Sequence, residues 1–411
     1  MREDAGKHSI LWTKPTIMDV PEIIDMVVNS LEIAEDAKMR GDSIGECNEF
    51  VRLAMRLMES DWNWISDQLF LVAIDIATQI RVDGGRKEAV TRYIYGQFLI
   101  KEYNQIEEGA VHLHIARELA KEKKWIASPE VEGAFENLYR QICSLLYSGM
   151  LKLSQRIRKT NPQKAADYCA IAIKRAQEAD SDEGIAATLM EQGLCMLSTG
   201  ELSDAMTNFR ETMKRSLAAE NYISACDAHL QISRTFDAMK NFPKAEKHLM
   251  KMLQLAETHE LRFSIAKAHQ ALGELYLQSK LDIFNSYKKS VDEFDKAMQI
   301  YNELEKHQDL SAARAMHAVA KGQQLMKQFF KTVLKAGDPN DKGHMLTKLI
   351  QWKIDRTPFW SEDTSDTSSL DIEEESVNEE SIHESSASLY TPHSSQRSSV
   401  MSNTSLPNGI N

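Results

Sequence analysis

The sequence predicts an all-α fold, a stack of paired helices, and three observations predict it. Small and large residues recur at fixed offsets: Gly193, Ala205 and Phe209 stand 0, 12 and 16 residues along, Ser233, Ala245 and Leu249 repeat that spacing 40 residues later, and Gly273 opens another copy after a further 40. Gly and Pro together make up only 26 of 411 residues, so helix breakers are rare. Met, Leu, Ala, Glu and Lys, all strong helix formers, dominate the periodic segments. A period of this length marks a solenoid, in which each unit buries its apolar face only against its neighbours.

Residues 1–19 read as irregular. Pro21, tolerated in a first turn where its missing N–H costs nothing, opens the first helix, and Ile23, Val27, Leu31 and Ala34 recur at helical spacing until Gly41 stops the run. Helices at about 44–60 and 65–81 follow, then the turn Asp83-Gly84-Gly85. Residues 20–85 thus form an N-terminal set of helices, and 86–356 the repeat body. Its first pair, 86–102 with 106–122, departs from the pattern: Gly96 fits the small position, but Glu108 and His112 stand at the other two. Next come 132–158 with 162–179, announced by the cap Asn161-Pro162 and carrying Ala165, Cys169 and Ala172. Then follow 184–198 with 202–218, 222–239 with 242–258, and 262–279 with 284–305. Helices near 309–335 and 343–352 close the body.

The small residues have a physical purpose. Antiparallel helices pack about 8–10 Å apart. Gly193, Ser233 and Gly273 let the backbones meet, Ala205 and Ala245 accept the neighbour, and Phe209, Leu249 and Phe294 fill the groove between pairs. Phe294 and Ala297 keep the register only if about five residues are inserted around Ser286.

Composition narrows the function. The net charge is −12, but residues 361–411 hold ten acids and a single base, leaving 48 bases against 51 acids elsewhere. No strongly basic face and no nucleic-acid partner are expected. The same segment carries fifteen serines and few large apolar residues, too little to offset chain entropy, so 357–411 is expected to be a disordered tail. The cysteines Cys47, Cys143, Cys169, Cys195 and Cys226 form no CxxC pair and fall on apolar helical faces, as reduced buried thiols do. The charged start MREDAGKHSI lacks the apolar core of a signal peptide, and the run at 69–77 is too short to span a bilayer, so no membrane insertion is expected.

No phosphate-binding, dinucleotide-binding, zinc-protease or nucleophile-elbow motif is present, and no cofactor, metal or enzymatic activity is expected. His112 and His114, two apart on a helix, point about 200° apart and cannot share an ion. Trp62 and Trp64 flank a turn as packing anchors, and Glu373, Glu374 and Glu375 are solvated carboxylates of the tail.

The stretch HQALGELY at 269–276, with Leu272, Gly273 and Tyr276, resembles the core of the tetratricopeptide repeat. His269 stands where that repeat has Trp, and the period is nearer 40 than 34. The resemblance implies a right-handed superhelix whose concave face is lined by the first helix of each pair. Counting from the small residues, the inward positions are Ala187, Met190, Leu194 and Leu197, then Asp227, Leu230, Arg234 and Asp237, then Lys267, Gln270, Glu274 and Leu277. Their drift from apolar to mixed charge suits a protein segment, and the Lys and Asn set with which chaperone-binding repeats clamp a terminal carboxylate is missing. The candidate partner contacts are Met190, Leu194, Asp227, Leu230, Arg234, Lys267, Gln270 and Glu274. The structural repeat positions are Gly193, Ala205, Phe209, Ala245, Leu249, Gly273 and Tyr276.

Longer strings are similar to the tetratricopeptide repeat protein 29 family: SILWTKP at 9–15, IRVDGGRKEA at 80–89, AVAKGQQLM at 318–326 and LIQWKIDR at 349–356, which contains Trp352. The chain departs from that family in the eight residues ahead of the first string and in its Ser-rich tail. The resemblance implies a non-enzymatic scaffold of the axoneme in motile cilia and sperm flagella, located in cytoplasm and cytoskeleton. Its partners would be proteins, inner dynein arm subunits among them. The alternative is a cytosolic adaptor for signalling, transport or chaperone cargo.

Overall fold

A computed structural model describes residues 19–59, 62–126, 137–279 and 283–359. Residues 1–18, and the expected tail beyond 359, lie outside the described residues. The elements in order are α1 (Pro21–Met39), α2 (Ser43–Glu59), α3 (Asn63–Gln79), α4 (Arg86–Lys101), α5 (Ile106–Ala120), α6 (Leu138–Ile157), α7 (Pro162–Glu178) and α8 (Asp182–Thr199). They continue with α9 (Leu202–Ala218), α10 (Tyr222–Ala238), α11 (Phe242–Thr258), α12 (Arg262–Gln278), α13 (Ile283–Glu303), α14 (His307–Ala336), a 3₁₀ turn at Pro339–Asp341, and α15 (His344–Asp355). The chain divides into two compact units, one ending at Lys331 and the other beginning at Thr332. In the first, each helix from α1 to α13 packs against the next, and α4, α6, α8, α10 and α12 also touch one another in succession. This is a helix-pair solenoid of tetratricopeptide type.

The 40-residue period is two 20-residue halves, each set by its turn. Asp180, Gly200, Glu220, Lys240 and Glu260 all take left-handed backbone, with φ between 54° and 88°. After each, the next amide donates to the carbonyl five residues back at 2.8–3.1 Å, which closes the helix end. Ser181, Asn221 and Asn241 then cap the next helix by accepting an amide hydrogen three residues on. The stop and the start are thus two adjacent residues, and the chain reverses with almost no loop. Only one of the five stops is glycine; each other left-handed residue costs about 1 kcal/mol.

The crossings depend on small residues. A β-carbon on Gly193 would lie 2.6 Å from the Phe209 ring, and one on Gly273 3.0 Å from Phe294. Ala205, Phe209, Ala245, Leu249 and Phe294 are buried, and the Tyr276 hydroxyl donates to Glu246 at 2.6 Å. In the last pair Ser290 occupies the small position, its hydroxyl donating to the Gly273 carbonyl at 2.7 Å. The extra residues lengthen α13 to 21, against 17 in α9 and α11.

Two expectations are corrected. In α4–α5 the partners of Gly96 are Gly109 and Leu113, not Glu108 and His112: the β-carbon position of Gly96 is 2.7 Å from Leu113 and 3.1 Å from the Gly109 carbonyl. The turn through Asn104, at φ 56°, is one residue longer than the repeat arithmetic allows, and the register shifts by one. Of the two tryptophans, Trp62 packs against the cluster of Ile23, Leu53 and Leu57, while Trp64 stays 49% exposed.

At the position where tetratricopeptide repeats carry Trp, consecutive first helices hold His229 and His269. Each is bonded to the residue just before the large anchor on its second helix: His229 Nδ1 lies 3.1 Å from His248 Nδ1, and His269 Nδ1 lies 2.6 Å from Glu293. A polar pair thus replaces an indole between the helices. Burial first, then His248 and Lys251, pushes the His229 pKa down to about 4, and burial lowers that of His248 as well.

Two measurements test these packing assignments. Gly193→Leu forces the buried Phe209 ring aside and costs about 2 kcal/mol in urea unfolding, whereas Gly322→Ala, with nothing within 4 Å, gains up to about 1 kcal/mol. The folded His229 resists the proton that the unfolded chain takes up near pH 6.5. Its contribution is therefore complete above that pH and lost as pH falls toward about 4. His229→Gln removes on the order of 3 kcal/mol of that fall, read as the difference between the two pH–stability curves.

Candidate functional site

The first helices of three successive pairs, α8, α10 and α12, present one side chain set to an open depression of about 370 Å³. Met190 and Leu194 come from α8, Asp227, Leu230 and Arg234 from α10, and Lys267, Gln270 and Glu274 from α12. These positions recur because residues three and four apart share a helix face, and because the period sets equivalent residues side by side. Ala187, Leu197, Asp237 and Leu277 do not line the depression; Leu277 packs instead against Val291, Phe294 and Ala320.

Four lining residues escape the repeat arithmetic: Gln231, Ala271, Tyr301 and Asp309. The first two neighbour predicted positions on the same helices. Tyr301 and Asp309 come from α13 and α14, beyond the insertion that breaks the period, so no spacing rule points to them.

The floor is apolar and the wall polar. Met190, Leu194, Leu230 and Ala271 form the apolar part. Lys267 Nζ donates to Asp227 at 3.2 Å, tying equivalent positions 40 residues apart. Both side chains are about one-third exposed, at 34% and 37%, so this pair adds little stability and stays open to exchange. The Tyr301 hydroxyl donates to Gln270 at 2.9 Å, and the Gln270 amide donates to Glu274 at 2.9 Å. Burial, with Asp309 and Glu274 nearby, pushes the Tyr301 pKa well above the usual phenol range, so the hydroxyl remains a donor at neutral pH.

One acceptor has no donor. Gln231 Oε1 is buried and receives no hydrogen bond among the described residues. Such an atom costs about 1–3 kcal/mol until a donor arrives. Arg234, exposed on the same helix, makes no ion pair or hydrogen bond among the described residues.

Other chemistry-bearing residues serve the core. All five cysteines are buried and free. Burial pushes the thiols of Cys47, Cys143 and Cys226 up, the last two to about 12 and about 11. Cys169 and Cys195 share the Ser154 hydroxyl, at 3.1 and 3.7 Å. His112 stands edge-on to Tyr95 with ring centres 4.7 Å apart. Among the described residues no group of three His, Cys, Asp or Glu side chains could hold a metal ion, and no helix is long and apolar enough to cross a membrane.

The chain matches no family model. Among solved structures it overlaps the apo form of RapI, with TM-score 0.39, 11% identity, and 68% of this chain and 98% of that one covered. It also overlaps aspartyl phosphate phosphatase F from Bacillus subtilis, with TM-score 0.37, 16% identity, and 78% of that chain covered. At these scores neither overlap carries an argument. Among curated proteins, tetratricopeptide repeat protein 29 of Macaca fascicularis is 24% identical over 87% of this chain and 72% of its own length. The protein of that name from Homo sapiens is 23% identical with the same coverage, and the Rattus norvegicus one 28% identical over 49% of this chain. By sequence, then, this helix-pair solenoid is similar to tetratricopeptide repeat protein 29 along nearly the whole described body.

Proposed function

We propose that the chain is a non-enzymatic scaffold that grips a partner protein in the α8–α10–α12 groove. The observation that carries this reading is the row of equivalent side chains from α8, α10 and α12 around one open depression with an apolar floor, with the exposed Arg234 unpaired among the described residues. An extended partner segment sets an apolar side chain against Met190, Leu194 and Leu230 and meets Arg234 with a carboxylate. Affinity then comes from several modest contacts on one preformed surface.

The similarity to tetratricopeptide repeat protein 29 supports an axonemal setting, in motile cilia and sperm flagella, with dynein-arm proteins as partners. In that setting the chain works in the cytoskeleton as an assembly and positioning element for beating.

Arg234→Glu, an exchange at an exposed side chain, tests the groove. Protein recovered from extracts of motile ciliated cells by the unaltered chain should be lost at least tenfold by the variant, about 1.4 kcal/mol, with an unchanged melting curve. Equal recovery by both refutes the groove. The same extracts test the setting: retention on salt-washed axonemes supports it, and a wholly soluble pool in non-ciliated cells favours the cytosolic adaptor.

A further inference from the structure

The overall near-balance of charge across residues 1–360 conceals a separation within the fold. Helices α1 to α3 hold ten acids and three bases. Beyond Asp309, α14 holds five bases, Arg314, Lys321, Lys327, Lys331 and Lys335, and no acid.

Each region also carries an uncovered apolar surface. Between α1, α2 and α3 lies an open depression of about 560 Å³, floored by Leu31, Ala34, Phe50, Val72 and Ile76. Leu31 and Val72 are each 42% exposed. Glu32, Glu35 and Glu46 line it, and none of the three carboxylates makes an ion pair or hydrogen bond among the described residues. Lys38 is the one base in that lining. On α14, Val319, Met326, Phe330 and Val333 fall at helical spacing and are 38–51% exposed. They form an apolar stripe on a cationic helix.

We propose that the acidic α1–α3 groove of one copy receives the distal half of α14 from a second copy. The stripe fills the apolar floor, as an amphipathic helix does in a groove, and the lysines beside it meet the unpaired carboxylates. The two surfaces differ, so the contact is heterologous. Each copy keeps a free groove at one place and a free helix at the other, and copies add head to tail into open chains unless the rotation closes a ring. Opposed charges steer encounter and fix the register, and assembly weakens as salt rises.

Charge-swapped variants test this directly, because all four altered residues are exposed. Glu32→Lys with Glu35→Lys reverses the groove; Lys331→Glu with Lys335→Glu reverses the helix. Mass is read by light scattering on eluting full-length chain from about 1 to about 100 µM. The unaltered chain should grow in mass with concentration. Each variant alone should lose at least tenfold in association, since its groove and helix now share a sign. The two variants mixed should regain assembly, because each offers the surface the other lacks. Unchanged melting curves exclude misfolding as the cause. An unaltered chain that stays monomeric throughout overturns the proposal, whether α14 then proves to bind phosphatidylserine vesicles or the acidic 361–411 segment. Variants that assemble as the unaltered chain does, or a mixture that fails to recover, overturn it as well.

Discussion

Close approach of helix backbones is the constraint from which the rest of the structure follows. Gly193 against Phe209 and Gly273 against Phe294 leave no room for a methyl group. Once helices cross that closely, equivalent residues of successive pairs stand side by side. The 40-residue period becomes a spatial row, and Asp227 can reach Lys267. The turns enforce the same geometry from the other side. A left-handed residue followed by a cap reverses the chain within two or three residues, so each helix meets its predecessor directly. At Asp180, Glu220 and Lys240 the helix stop is followed directly by a capping side chain, and packing and punctuation agree there, the consistency that lets a sequence specify one structure.

Much of this is legible in the sequence. Helix order, helix ends to within a few residues apart from the start of α6, and the small residues Gly193, Ala205, Ala245 and Gly273 follow from period and propensity. The legible part stopped where the period did. Asn104 adds one residue to the α4–α5 turn and moves the contact from His112 to Leu113. The insertion before α13 hides Ser290, Tyr301 and Asp309 from any fixed offset. The histidine pairs were invisible for another reason. His269 was readable as a replacement for Trp, but its partner Glu293 lies across the insertion, and the matching pair His229–His248 needs both helices placed first. In the groove, repeat arithmetic selects the side chains of α8, α10 and α12. It cannot show that Gln231 is left without a donor, because that depends on which neighbours turn toward it.

Helices of different charge character follow one another along the chain. Its middle offers mixed charge over an apolar floor, its first helices are acidic, and α14 is basic. Summed over the sequence these cancel, so composition reports near-neutrality where the fold holds opposed surfaces.

The side-by-side row of first helices is the claim on which the groove rests, and spin labels read it most directly. With all five native cysteines buried, Asp227→Cys and Lys267→Cys direct nitroxides to equivalent positions of adjacent first helices. Helices packed about 10 Å apart predict strong dipolar broadening in the folded chain that vanishes in urea. Spectra that match the sum of the two single-label proteins under native conditions would contradict the account.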